Sequence, residues 1–173
     1  RLSTIRGQDL KRVYSVLEVF NTKWGRVELF LTTTFLALLV IANTLAIGGR
    51  VLFALYPSWI IEVSAGLLIA SVFTGGGYLY KTRGHVAVTL LIDRLDNTDV
   101  SYRVLAIIGE VLILTFVIVA IWQAAIYQPI LWNRMTTALQ IPQNFVTIFI
   151  PIAYISIALS SIETLLGYWV KER

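Results

Sequence analysis

The chain has 173 residues, of which 57% are hydrophobic and only 14% are charged. Soluble domains contain about 45–50% apolar and about 25% charged residues, so this composition argues against an ordinary soluble enzyme. The formal net charge of +4 is interpreted as a signal of membrane orientation, and we expect no nucleic-acid partner. The chain contains no cysteine, one histidine and one methionine, so we expect no metal centre, haem or other cofactor.

Four stretches are apolar over the roughly 20 residues that a membrane-spanning helix requires. They predict spans at about residues 27–47, 58–80, 104–127 and 144–169. The connections are short, which predicts an all-α, up-and-down bundle of four transmembrane helices in a single membrane domain over residues 1–173. Pro151 lies inside the fourth predicted span. A proline kinks a transmembrane helix more often than it ends one, so we expect a bend there.

Apolar side chains before the first predicted span recur at spacings of three and four residues. They are Leu10, Val13, Tyr14, Leu17, Phe20 and Trp24. With basic residues on the other faces, this period predicts an amphipathic helix over about residues 5–24, lying on the inner leaflet against anionic lipids. The alternative is a cytoplasmic helix packed on a partner. The apolar run that follows has full span length, so we expect an anchor and not a cleaved signal peptide.

Lysine and arginine are divided unevenly between the two sides of the predicted bundle. Only Arg50 and Arg134 lie in the connections on one side, and the other 12 of the 14 basic residues lie on the opposite side. Basic residues are retained on the cytoplasmic side of a membrane. The sequence therefore predicts that both termini are cytoplasmic.

Charged side chains inside a span cost roughly 2.5–3.5 kcal/mol each on insertion scales, so each requires a reason. Glu62 lies near the outer end of the second predicted span, where we expect it to pair with Arg50 or Arg134. Other charged and titratable residues gather near the inner ends of the spans: Glu28, Glu110, Glu163, Lys81, Arg83, His85 and Arg103. One interpretation is a proton or cation relay. The interpretation that we favour is helix-end anchoring, lipid-headgroup contact and subunit contact, because no charge is predicted at mid-bilayer.

Small and polar residues in the spans suggest how the helices pack. Gly75, Gly76 and Gly77 predict close approach of helix backbones near the inner end of the second span. A polar stripe on the first span predicts hydrogen bonds to other helices: Thr32, Thr33, Thr34, Asn43 and Thr44. The tryptophans are expected in interfacial belts, with Trp122 deeper.

Several landmarks, taken in chain order, resemble the small membrane subunit, DctQ type, of tripartite ATP-independent periplasmic (TRAP) transporters. Trp59-Ile60-Ile61-Glu62 resembles the W-x-x-E that opens the second span of that family. The stretch from Gly75 to His85, followed by Asp93-Arg94-Leu95, resembles its glycine, basic-turn and D-R-L run. Thr137 to Pro142 resembles its short outer loop ending in I-P, and Pro151 resembles its second proline.

The resemblance covers about residues 24–169 and departs at one point, where Ala153 stands in place of a frequent glycine. It implies a bacterial inner-membrane protein that works with a large, multi-span permease subunit and a periplasmic substrate-binding protein. The large subunit would hold the sodium and substrate sites and import an organic acid. The small subunit would extend its scaffold, carry no complete transport site and have no enzymatic activity.

The candidate structural or interface residues on this reading are Arg50, Glu62, Gly75, Gly76, Gly77, Arg83, His85, Asp93, Glu110, Arg134, Pro142 and Pro151. We expect the segment around His85 to dock a partner or a lipid headgroup at the cytoplasmic face, and not to bind metal. The competing hypotheses are that the chain is a stand-alone four-span exporter or the membrane anchor subunit of another complex. An exporter would need a carboxylate deep in the first span, and a haem-binding anchor would need more histidines.

Overall fold

The computed structural model describes the backbone of residues 2–53, 57–82 and 100–170, and the side chains of residues 11–52, 57–82 and 104–168. These parts of the chain form helices and no strand. The helices are α1 (Leu2–Phe53), α2 (Trp59–Lys81), α3 (Val100–Trp132), α4 (Asn144–Thr147) and α5 (Phe149–Val170). Four apolar segments are long enough to cross a membrane: Lys11–Leu52, Trp59–Lys81, Val104–Trp132 and Asn144–Tyr168. The predicted all-α, four-span architecture is confirmed.

The first helix differs from the prediction because it has no break between the amphipathic segment and the first span. α1 is a single helix of 52 residues, which at 1.5 Å per residue extends about 78 Å. Gly25 does not interrupt it and lies against α2, where an added Cβ would be 3.5 Å from Lys81 Cδ. Nearer the N-terminus of α1, Tyr14 lies against Gly167 of α5. The amphipathic segment is therefore packed, on one side, along the ends of α2 and α5 that the sequence predicts to be cytoplasmic; we call these the inner ends and the opposite ones the outer ends.

The bundle has α2 and α5 at its centre, with α1 packed mainly on α2 and α3 mainly on α5. α1 runs antiparallel to both of its neighbours. Along α2, Thr32 contacts Thr74 and Gly25 contacts Lys81. Along α5, Glu28 bonds to Ser156 and Asn21 to Glu163. The buried positions at the helix contacts carry mostly small side chains, including Ala46, Ala70, Ser71, Ala153, Ser160 and Ser161. In a bilayer, where lipid is as apolar as leucine, small residues allow the close backbone approach that holds helices together.

The polar stripe on α1 differs from the expectation of bonds to other helices. Only Thr32 makes such a bond among the described residues of the stripe. The side chains of Thr33, Thr34, Asn43 and Thr44 instead donate to carbonyls of α1 itself, at 2.8–3.0 Å. The reason is local: a short polar side chain on a helix reaches the carbonyl three or four residues earlier without help from a neighbour.

The helix is interrupted at Ile148, which separates α4 from α5, although the backbone of Ile148 keeps helical dihedrals of φ −59° and ψ −27°. The bend expected at Pro151 stays a prediction. Proline has no N–H, so Pro151 cannot donate to the carbonyl of Thr147 one turn earlier. The side-chain amide of Gln128, on α3, donates to that carbonyl at 3.3 Å. A neighbouring helix thus satisfies the freed carbonyl, which is how membrane bundles tolerate a proline.

Candidate functional site

A buried ion pair joins α1 to α2 near the inner end of the bundle. Lys81 Nζ lies 2.9 Å from Glu28 Oε2, and the two side chains are only 8% and 4% exposed. The hydroxyl of Ser156, on α5, donates to Glu28 Oε1 at 2.5 Å. Gly77 makes room for the carboxylate, because a Cβ at that position would lie 2.8 Å from Oε1. Glu28 therefore bonds both central helices at once.

Two further carboxylates form bonds between helices at the same end of the bundle. The side-chain amide of Asn21 donates to Glu163 Oε2 at 2.5 Å, joining α1 to α5. The Tyr80 hydroxyl donates to Glu110 Oε1, joining α2 to α3. We call this set the inner polar layer; its members are Asn21, Glu28, Tyr80, Lys81, Glu110, Ser156 and Glu163.

The chemistry available to the inner polar layer is structural. Each of its three carboxylates accepts a hydrogen bond from a different helix, so each is engaged within the chain. Within the described parts of the chain, the acidic residues do not converge as a set of three metal ligands. Buried charges are costly unless paired and hydrogen-bonded, and breaking a buried pair costs more than the pair contributes. The layer fixes the relative positions of all four long helices.

At the outer end, Glu62 binds the backbone of the loop between α3 and α4. The amides of Ala138 and Leu139 donate to its two carboxylate oxygens at 2.7 and 2.9 Å. The loop is closed by a hydrogen bond of 2.8 Å from the Thr136 amide to the Ile141 carbonyl. Because consecutive amides point at one carboxylate, the loop is fixed to the start of α2 by charge-assisted hydrogen bonds.

The hydrogen bonds described for the Glu62 carboxylate come from two backbone amides, where we expected an arginine. The pairing with Arg50 or Arg134 stays a prediction. Both arginines are exposed, and the backbone of Arg134 contributes instead, by accepting from the Gln143 amide at 2.8 Å. Tight closure of the loop turns its amides toward α2, which a count of side-chain charges does not reveal.

The other predicted site residues have different surroundings. A Cβ at Gly75 would lie 3.0 Å from Thr32 Cγ2, whereas one at Gly76 would have no neighbour within 4 Å. Pro142 pairs with Met135 in an isolated bridge at the base of the outer loop. The remaining candidates, Arg83, His85 and Asp93, lie outside the described residues.

Sequence reasoning did not name several members of the inner polar layer as site residues. Glu28 and Lys81 carried a usable signal, because opposite charges at the inner ends of two successive antiparallel spans lie at one level. Asn21, Tyr80 and Ser156 carried none. A single polar residue in a span gives no indication of which helix it faces until the helices are rotated into place.

Comparison with protein families gives a match over most of the chain. Residues 36–170 match the family model described as Tripartite ATP-independent periplasmic transporters, DctQ component. The matched range covers well over half of the chain and includes α2 to α5 and the outer part of α1. A search of curated proteins finds no match. Two members of the inner polar layer, Asn21 and Glu28, precede the matched range.

Proposed function

The chain belongs to the DctQ family and is the small permease subunit of a TRAP transporter, and we propose that it serves as a static scaffold for the large permease subunit of a sodium-driven organic-acid importer. The family match over residues 36–170 is the observation that carries the proposal. The alternatives of a stand-alone exporter or an anchor for another complex gain no support from it. A large permease subunit and a periplasmic binding protein are the partners that membership of a tripartite system implies.

The bonding of the acidic residues supports a scaffold role. Glu28, Glu62, Glu110 and Glu163 each accept a hydrogen bond from another segment of the same chain. An organic acid that crosses a membrane needs a midplane site with free, compensating polar groups. A carboxylate substrate needs cationic or hydrogen-bond-donating groups, and the buried cation Lys81 is already paired with Glu28. We therefore assign the substrate and sodium sites to the large subunit.

We further propose that the protein lies in the bacterial inner membrane with both termini in the cytoplasm. The support is the uneven division of Lys and Arg, with only Arg50 and Arg134 on the outer side. Reporter fusions provide the test. A fusion at Asn133 is expected to be periplasmic and one at Asn97 cytoplasmic. A cytoplasmic signal at Asn133 contradicts the proposed orientation.

Reconstitution tests the transport role. Vesicles would contain the small subunit alone, the large subunit alone, or both, each with the binding protein and a panel of radiolabelled mono- and dicarboxylic acids. We expect uptake that depends on a sodium gradient only when both membrane subunits are present. Uptake by the small subunit alone would refute the scaffold role, and full uptake by the large subunit alone would show that the scaffold is dispensable.

A further inference from the structure

One side of α3 packs on α5, and the opposite side is exposed along the length of the helix. We define the free α3 face by seven of the exposed residues between the middle of the helix and its outer end: Thr115, Val119, Trp122, Gln123, Ala125, Ile126 and Pro129. Trp122 is the most exposed of its large side chains, at 66%. An exposed apolar surface is normal in a bilayer, so exposure by itself does not distinguish lipid from a protein partner.

Polar groups on this face make the distinction. Gln123 lies nine residues before Trp132, which places it about 14 Å along the helix from the outer end. It also lies about 20 Å from Glu110 in the inner polar layer, so it is inside the hydrocarbon region. Neither the Gln123 amide nor the Trp122 indole N–H forms a hydrogen bond to any described residue. In lipid, such groups are left without a partner, which is unfavourable.

Pro129 adds a third hydrogen-bonding group to the free α3 face. It lies inside α3 and cannot donate to the carbonyl of Ala125, one turn earlier. Both residues are exposed. The contrast with Pro151 is informative, because there Gln128 of a neighbouring helix donates to the freed carbonyl. A donor to the Ala125 carbonyl would have to approach from the exposed side of α3, which no described helix of this chain covers.

The exposed side of α1 provides a comparison within the same molecule. The most apolar 18 residues of its span are as little buried as those of α3, at 6% in each case. Its polar side chains, however, donate to carbonyls of their own helix, as Thr33, Asn43 and Thr44 show. The α1 surface therefore suits lipid better than the free α3 face does.

We propose that the free α3 face is the docking surface for a transmembrane helix of the large permease subunit, which brings hydrogen-bonding groups to the depth of Gln123. The inference rests on the proposed function, because it is family membership that supplies a second membrane-embedded subunit. Small and polar residues are the features by which membrane helices associate, and a partner helix satisfies the amide, the indole and the Ala125 carbonyl together. Lipid satisfies none of them.

The replacement Gln123→Leu gives a test in which the two occupants predict different results. If a helix of the large subunit covers the face, loss of the amide weakens subunit association by roughly three- to tenfold, the range typical of one hydrogen bond between membrane helices. If lipid covers it, removal of a polar group from hydrocarbon leaves association unchanged. The matched control is Asn43→Leu on α1, for which no change is expected. Association would be measured by titrating labelled small subunit into large subunit in nanodiscs.

A second measurement does not depend on the energy of one bond. The chain contains no cysteine, so Gln123→Cys and Asn43→Cys each provide a single site for a nitroxide label. With the small subunit alone, both labels are expected to be open to oxygen dissolved in the bilayer. Addition of the large subunit should reduce oxygen access several-fold at position 123 and leave position 43 unchanged.

The outcomes separate the two proposals. If the subunits associate but position 123 stays open to oxygen, the docking surface is wrong and the scaffold role stands. If oxidation of the Gln123→Cys subunit joins two copies within the assembled complex, a second copy occupies the face and the inference is overturned. If the wild-type subunits do not associate at all, the scaffold role fails and the docking surface fails with it.

Discussion

Removal of Lys81 should destabilise the bundle strongly, because it leaves Glu28 buried and uncompensated. Both side chains are less than a tenth exposed. After Lys81→Met, the carboxylate keeps the Ser156 hydroxyl as a donor but loses its counter-charge. Removal of one partner of a buried pair costs about 3–5 kcal/mol, which corresponds to at least a hundredfold change in the unfolding constant.

Glu28→Gln should cost less, because the flexible Lys81 side chain at the inner end of α2 extends its ammonium toward water once it is free. The double variant with both changes should recover most of the loss, since neither charge then remains. The assay is unfolding of the four proteins in mixed micelles with an increasing fraction of SDS, followed by circular dichroism. If Lys81→Met lies within about 0.5 kcal/mol of the wild type and the two changes are additive, the ion pair does not hold the bundle.

Two further predictions concern the ends of α2. Gly77→Ala should destabilise the bundle in the same assay, because the added Cβ would lie 2.8 Å from Glu28 Oε1. The control Gly76→Ala has open space around it and should be close to neutral. Equal effects of the two replacements would contradict this packing. Glu62→Gln should accelerate hydrogen exchange at the amide of Ala138 or Leu139. One of the two oxygens that accept these hydrogen bonds is then replaced by an NH2 group, which is a donor. Unchanged exchange in the loop would show that the carboxylate does not fix it.

The membrane-spanning architecture was determined by the sequence, because hydropathy over about 20 residues is a local property and the bilayer thickness converts it into helix length. The resemblance to the DctQ family was also apparent in the sequence, since its landmarks are short motifs in a fixed order, and the match over residues 36–170 confirms it. The helix interruption before Pro151 also has a local cause, because proline lacks a donor wherever it stands.

The partners of the polar side chains that bond between helices or to the outer loop were decided by the tertiary structure alone. Glu62 was placed near the outer end of its helix by the sequence, yet its ligands are two backbone amides that lie more than 70 residues away along the chain. Ser156 reaches Glu28 only because α1 and α5 are rotated so that the two side chains face each other. The apolar surface of a transmembrane helix does not fix that rotation, since lipid accepts any face. Close packing at small residues and the pairing of buried polar groups fix it, and both depend on residues far apart in sequence.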